Sequence, residues 1–263
     1  MSVLDSPQVN QVVFHPRGED FGYAPAGIST NTGSGNVMIS GYLHLNDACD
    51  TLILFFHGNG EIAADYDQLA PIYLHCGASF WVVDYRGYGS STGMPAYSHM
   101  FEDADALVDD IPRLEKHSGK TFKHVLVMGR SLGSASAIYL ASTRQEQLDG
   151  LLLDSPFADG PGLIHRLGGP RLEAGDLAGF EDNVERMSRC ALPTLIIHGA
   201  EDFIIPFSDA LALFNACPNA DKRLIQVDGA GHNDLLLRGF DTYLSELREH
   251  VAKVTGSVPG KNE

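Results

Sequence analysis

Short apolar runs rich in β-branched and aromatic residues alternate along this chain with longer stretches of helical period. That alternation is the signature of βαβ units laid into a mostly parallel sheet. The runs predicted as strands cover residues 9–14, 37–45, 51–56, 79–84, 124–128, 150–153, 194–198 and 223–227. Most are continuously apolar, as expected of strands covered on both faces. Between the first two lies the turn-rich stretch 31–36, which reads as the loop of an antiparallel pair. Phe101, Ala104, Leu107, Ile111 and Leu114 recur at steps of three and four, so they predict an amphipathic helix, with Pro112 a kink or an early end. Leu236, Phe240, Tyr243, Leu247 and Val251 predict another near the C-terminus. The expectation is an α/β architecture with about eight strands and flanking helices.

One interval breaks the rhythm. Residues 155–192, between predicted strands 6 and 7, are rich in Gly and Pro, with a helix expected near 182–188. A connection of this length is usually a lid or a binding element. The organisation read from the pattern is a single domain over 1–255, carrying 155–192 as a short cap, and a flexible tail at 256–263.

Composition changes the picture by exclusion. The chain has 263 residues, 44% hydrophobic, with 18 Lys and Arg against 34 Asp and Glu, a formal charge of −16. That sign is wrong for a protein that neutralises phosphates or anionic headgroups, so nucleic acid and lipid surfaces are not expected partners. Apolar runs such as Leu52 to Phe56 fall far short of the roughly 20 residues that span a bilayer. No secretory signal is visible, and a cytoplasmic location is the expectation. Cys49, Cys76, Cys190 and Cys217 are scattered without a Cys-x-x-Cys pair, which fits reduced thiols and no zinc site.

Two stretches match G-x-S-x-G: Gly89-Ser90-Ser91-Thr92-Gly93 and Gly129-Arg130-Ser131-Leu132-Gly133. A nucleophile elbow needs a strand entering a sharp turn and a helix leaving it, so that helix N–H groups face a developing oxyanion. Ser131 has that context, with an apolar strand before it and a small-residue helix after it. Ser91 sits among loop residues on both sides and reads as a decoy. A serine needs a general base, and the base an orienting acid. Of the histidines after Ser131, His165 falls in the cap, His198 ends a strand, and His250 is assigned to the exposed face of the last helix. His232, in the flexible loop 229–234, is the candidate base. Asp202, in the turn after a strand, is the candidate acid, with Glu201 and Asp154 as rivals; Asp228 and Asp234 read as turn residues. His57-Gly58-Asn59-Gly60 follows the strand 51–56, and the backbone N–H of Asn59 is expected to join that of Leu132 as oxyanion donors. His57 itself reads as a loop-fixing residue.

Together these pieces resemble the α/β-hydrolases with a small cap, similar to serine-aminopeptidase-like hydrolases and abhydrolase-domain depalmitoylases. The likeness rests on His57-Gly58-Asn59-Gly60, the Asp84-Tyr85-Arg86-Gly87-Tyr88-Gly89 run with Ser91 and Gly93, and the Ser131 elbow. Further on it rests on Asp154-Ser155-Pro156-Phe157, Phe180-Glu181-Asp182-Asn183, residues 193–206 and Gly231-His232, in family order from residue 51 to about 235. The resemblance implies an α/β-hydrolase fold with the cap between strands 6 and 7. It implies catalysis by Ser131, His232 and Asp202, with no metal and no organic cofactor. The expected substrate is a small-molecule ester, thioester or amide. An ester or thioester is the first expectation, with an aminopeptidase or amidase, or a non-catalytic binding protein on the same fold, as alternatives. A peptidase would want acidic groups in the cap, and Glu173, Asp176, Glu181 and Asp182 are the candidates.

Overall fold

The structure, a computed structural model, describes residues 3–257 except 21, 23, 174 and 178. In chain order the elements are α1 (Pro7–Val13), β1 (Ile28–Ser34), β2 (Val37–His44), β3 (Thr51–Phe56), α2 (Ala70–His75) and β4 (Ser79–Val83). Next come α3 (Tyr97–Asp109), α4 (Ile111–Ser118), β5 (His124–Arg130), α5 (Ser134–Thr143) and β6 (Gly150–Asp154). The last are α6 (Gly160–Arg166), α7 (Asn183–Met187), β7 (Thr194–Gly199), α8 (Phe207–Ala216), β8 (Lys222–Val227), α9 (Leu235–Arg238) and α10 (Phe240–Thr255). The strands form one eight-stranded sheet in the order β1-β2-β4-β3-β5-β6-β7-β8. β2 runs antiparallel to both its neighbours, and from β4 to β8 every pairing is parallel. This is the α/β-hydrolase fold, with the cap inserted between β6 and β7.

The central strands β3, β4 and β6 are buried at every position, which is why they read as unbroken apolar runs. Pro112 falls in the first turn of α4, where its missing N–H costs nothing, so α3 stops at Asp109 as the sequence implied. Asp182 caps α7 by accepting the Glu185 N–H at 2.7 Å.

Three expectations are corrected. Residues 9–14 are not a strand: Pro7–Val13 is a helix, started by Pro7 and by Ser6, whose hydroxyl accepts the Val9 N–H. The strand that pairs with β2 is instead Ile28–Ser34, so most of the expected loop 31–36 is strand, and the turn shrinks to Gly35 and Asn36. His250 is 3% exposed, on the inner face of α10. Of the tail expected at 256–263, Gly256 caps α10 in the left-handed region, and residues from 258 lie outside the described residues.

Candidate active site

The elbow is built by close approach. Ser131 holds φ 50°, a left-handed conformation that a non-glycine residue adopts only where its surroundings enforce it. The two flanking glycines permit the close packing that enforces it. A Cβ on Gly129 would collide with the Gly133 carbonyl, and one on Gly133 with the Phe56 carbonyl at the end of β3. The elbow therefore presses directly against the strand that leads into the His57–Gly60 loop.

His232 joins the sites the sequence kept apart. Its Nε2 lies 2.8 Å from Ser131 Oγ, and its Nδ1 lies 2.7 Å from Asp202 Oδ2. The loops after β5, β7 and β8 each deliver one member. Asp202 is 5% exposed, and its Oδ1 accepts the N–H groups of Ile204 and Ile205 at 2.9 and 2.8 Å. His198 lies behind it, with Nε2 donating to the Ile205 carbonyl at 2.8 Å and 3.4 Å from Asp202 Oδ2. Burial alone would raise the Asp202 carboxyl. Hydrogen bonds from His198 and His232, with the Ile205 amide, outweigh it and hold the group well below the usual carboxylate range.

The rival acids are occupied elsewhere or exposed. Asp154 accepts from the Ser155 hydroxyl at 2.8 Å and the Tyr243 hydroxyl at 3.1 Å, and Glu201 is exposed. Asp234 accepts the Gly231 N–H and pairs with Arg238, a turn role. Ser91 is buried and accepts the Ser40 N–H at 2.8 Å, as a structural serine would. His57 is fully buried, 3.3 Å from Asp84 Oδ1, with Nδ1 against the Gly58 carbonyl, so it fixes the loop.

Ser131 faces a cavity of about 220 Å³ bordered by Val13, Leu132, Leu163, Leu167, Ile204 and Ile205. Asn59, His15 and His232 add polar atoms to its wall. Two of these were not anticipated. Val13 and His15 belong to the N-terminal segment, which crosses the His57–Gly60 loop: the His15 N–H donates to Asn59 Oδ1 at 3.0 Å and to the Tyr88 hydroxyl at 2.8 Å. The one available signal was Ser6-Pro7, a helix-start pair that breaks the strand reading.

Residues 47–168 and 162–237 match the profile of the serine aminopeptidase S33 family. The chain belongs to that family. Among curated relatives, this hydrolase is 32% identical over 228 residues to alpha/beta hydrolase domain-containing protein 17B of Xenopus laevis, covering 85% of the chain and 74% of the relative. It is 31% identical to the Homo sapiens protein of the same name over the same shares. Solved structures of the same fold include the Pyrococcus furiosus esterase Pf2001, at TM-score 0.74 and 18% identity over 90% of this chain and 98% of that one. Est1E from Butyrivibrio proteoclasticus superposes at TM-score 0.68 and 15% identity, over 88% of this hydrolase and all of Est1E. Among the described residues no helix is long and apolar enough to cross a membrane.

Proposed function

We propose that this chain is a serine hydrolase that cleaves a carboxylic ester or thioester through an acyl-enzyme on Ser131. The observation that carries the reading is His232, in hydrogen-bond reach of Ser131 Oγ on one ring nitrogen and of the buried Asp202 on the other. In this reading His232 Nε2 takes the Ser131 proton as Oγ attacks the carbonyl. The N–H groups of Leu132 and Asn59 hold the resulting oxyanion, and His232 then protonates the leaving group. Water activated by the same nitrogen releases the acid. Asp202 keeps the Nδ1 proton in place and steadies the imidazolium.

The cavity favours an acyl group over a free amine. Half of its lining is aliphatic, Arg130 is among its polar residues, and among the described residues no carboxylate lines it. Three of the four acidic candidates in residues 155–192, which we read as the cap, are engaged elsewhere: Glu181 with Arg189 at 2.8 Å, Asp182 in capping α7, and Asp176 with the Glu173 N–H; the fourth, Glu173, is exposed. An aminopeptidase subsite would leave such a group facing Ser131.

A fluorophosphonate probe tests the reaction class: it labels the wild type and not Ser131→Ala. A panel of p-nitrophenyl esters beside matched thioesters and aminoacyl amides tests the substrate. Faster turnover of the amides overturns the ester assignment, and an unlabelled wild type overturns the serine mechanism.

A further inference from the structure

Arg130 ends β5 and immediately precedes Ser131, and its side chain is only 16% exposed. A guanidinium taken out of water must satisfy its fixed fork of donors, or an uncompensated charge is left inside. Among the described residues its partners lie in the loops around Ser131. Nη1 pairs with Glu61. Nη2 donates to the main-chain carbonyl of His232 at 3.0 Å and reaches Asn233 Oδ1 at 3.4 Å. Burial opposes the charge, but Glu61 and then Asp154 outweigh it and hold Arg130 above the ordinary arginine value.

Glu61 carries the connection onward. Its second oxygen accepts the Gly58 N–H at 2.7 Å and the Tyr66 hydroxyl at 2.6 Å. Gly58 directly precedes Asn59, whose backbone N–H is the proposed oxyanion donor. One ion pair thus touches the elbow, the base loop and the oxyanion loop.

The base loop needs such a restraint because there is room behind it. A second cavity of about 230 Å³ lies against Arg130, His232 and Asn233, bordered further by Tyr66, Tyr73 and Tyr243. Arg130, His232 and Asn233 border both cavities and so form the partition between them. His232 lies in a turn between β8 and α9, outside any strand ladder; main-chain bonds tie the flanks of that turn, Glu201 N–H to the Ala230 carbonyl and Arg238 N–H to the Asp234 carbonyl, each at 2.9 Å. Without a tether on its carbonyl, the turn can withdraw toward the second cavity and carry the imidazole away from Ser131 Oγ.

We propose that the Arg130–Glu61 pair is a positioning clasp that holds the base His232 and the oxyanion loop in register with Ser131. It touches no reacting atom, and it rests on the serine-hydrolase reading above. Displacing a catalytic group by about 1 Å costs on the order of a hundredfold in rate, which sets the size of the effect.

The experiment measures kcat and KM on an ester that the full-length wild type turns over, with thermal melts by circular dichroism alongside. Arg130→Gln is expected to lower kcat about 100-fold while KM stays within about threefold. Arg130→Lys, which keeps the charge and can reach one partner, recovers part of that loss. Glu61→Gln lowers kcat about tenfold, and the double variant loses no more than Arg130→Gln alone, because the two act as a unit. A folded Arg130→Gln with unchanged kcat, a rise in KM alone, or losses that multiply in the double variant overturns the clasp. If Arg130→Gln does not fold, Arg130→Lys and Glu61→Gln decide by the same kcat criterion. A wild type that fluorophosphonate fails to label sinks the serine mechanism and the clasp with it. One that labels while the folded variants keep their kcat sinks the clasp alone.

Discussion

Asn59 Oδ1 accepts the main-chain N–H of His15 at 3.0 Å, so the segment after α1 is fastened to the loop proposed to hold the oxyanion. The same oxygen accepts the Tyr88 hydroxyl at 2.8 Å, and one side chain thereby fixes the loop from two sides. Replacing Asn59 by Ala leaves both donors without that acceptor and frees the backbone that presents the N–H. Losing an oxyanion donor typically costs roughly 100- to 1000-fold. A loosened donor costs less, so Asn59→Ala should lower kcat about 10- to 100-fold with little change in KM. Steady-state kinetics on the best p-nitrophenyl ester checks this, and an unchanged kcat removes Asn59 from the site.

Val13 gives the N-terminal helix a second role, because its side chain borders the cavity at Ser131. A larger residue there shortens the space available to the substrate without touching the triad. Val13→Trp should therefore leave turnover of an acetyl ester within about threefold and cut that of an octanoyl ester at least tenfold, since one methylene in an apolar pocket is worth about 10- to 200-fold. An equal loss on both esters means that Val13 supports the fold and does not shape the pocket.

Asp202 links the proposed mechanism to acid stability. With Asn in its place, the amide offers its own N–H toward His232 and disfavours the tautomer that leaves Nε2 free for Ser131. A fall in kcat of about 10³- to 10⁴-fold is expected. In the folded chain the Asp202 carboxyl lies below the usual range, so on acidification the unfolded chain takes up the proton first. Its stabilising contribution is thus fully present above about pH 4 and drains away as the pH falls further. Melting temperature should drop less steeply from pH 5 to 2 in Asp202→Asn than in the wild type. Parallel curves would mean that the hydrogen bonds from His198, His232 and Ile205 do not depress the group.

Ser131 was legible because its signals are local: an apolar strand, two glycines at fixed offsets and a run of small helical residues. His232 and Asp202 followed from chain order and from their position just after strands. β1 was not legible, since its inward positions are Thr30, Thr32 and Ser34. These polar residues are buried because each finds a partner far away in sequence: Trp81 donates to Thr30, Thr32 donates to Asp110, and Arg86 donates to Ser34. Hydropathy cannot register a strand whose buried face is made of hydroxyls. The adjacent Val12 and Val13 supplied the false apolar signal. The link from Arg130 to Glu61 spans 69 positions and leaves no periodic trace at all.

His250 departs from the sequence expectation for the opposite reason: a titratable side chain at a helical position reads as solvent-facing, and the fold buries it. Among the described residues its Nε2 has no hydrogen-bond partner, and it packs toward Gly150 on β6. Burial pushes the imidazole down to about 4 from 6.5; attraction by Asp221 opposes the shift, and Arg223 and Lys253 add to it. Between those two values the unfolded chain holds a proton that the native chain refuses, so stability falls as the pH drops through the window. At about 1.4 kcal/mol per unit the full span is worth roughly 3 kcal/mol, or a melting temperature lower by on the order of 10 °C. A His250→Leu variant has no proton to take up in either state. Its melting temperature should fall less than that of the wild type between pH 7 and 4.5, although the two proteins share every other carboxylate and histidine. Scanning calorimetry at half-unit steps reads the difference directly. Equal slopes would show that His250 takes up its proton as readily in the folded chain as in the unfolded one, with α10 opening to admit it.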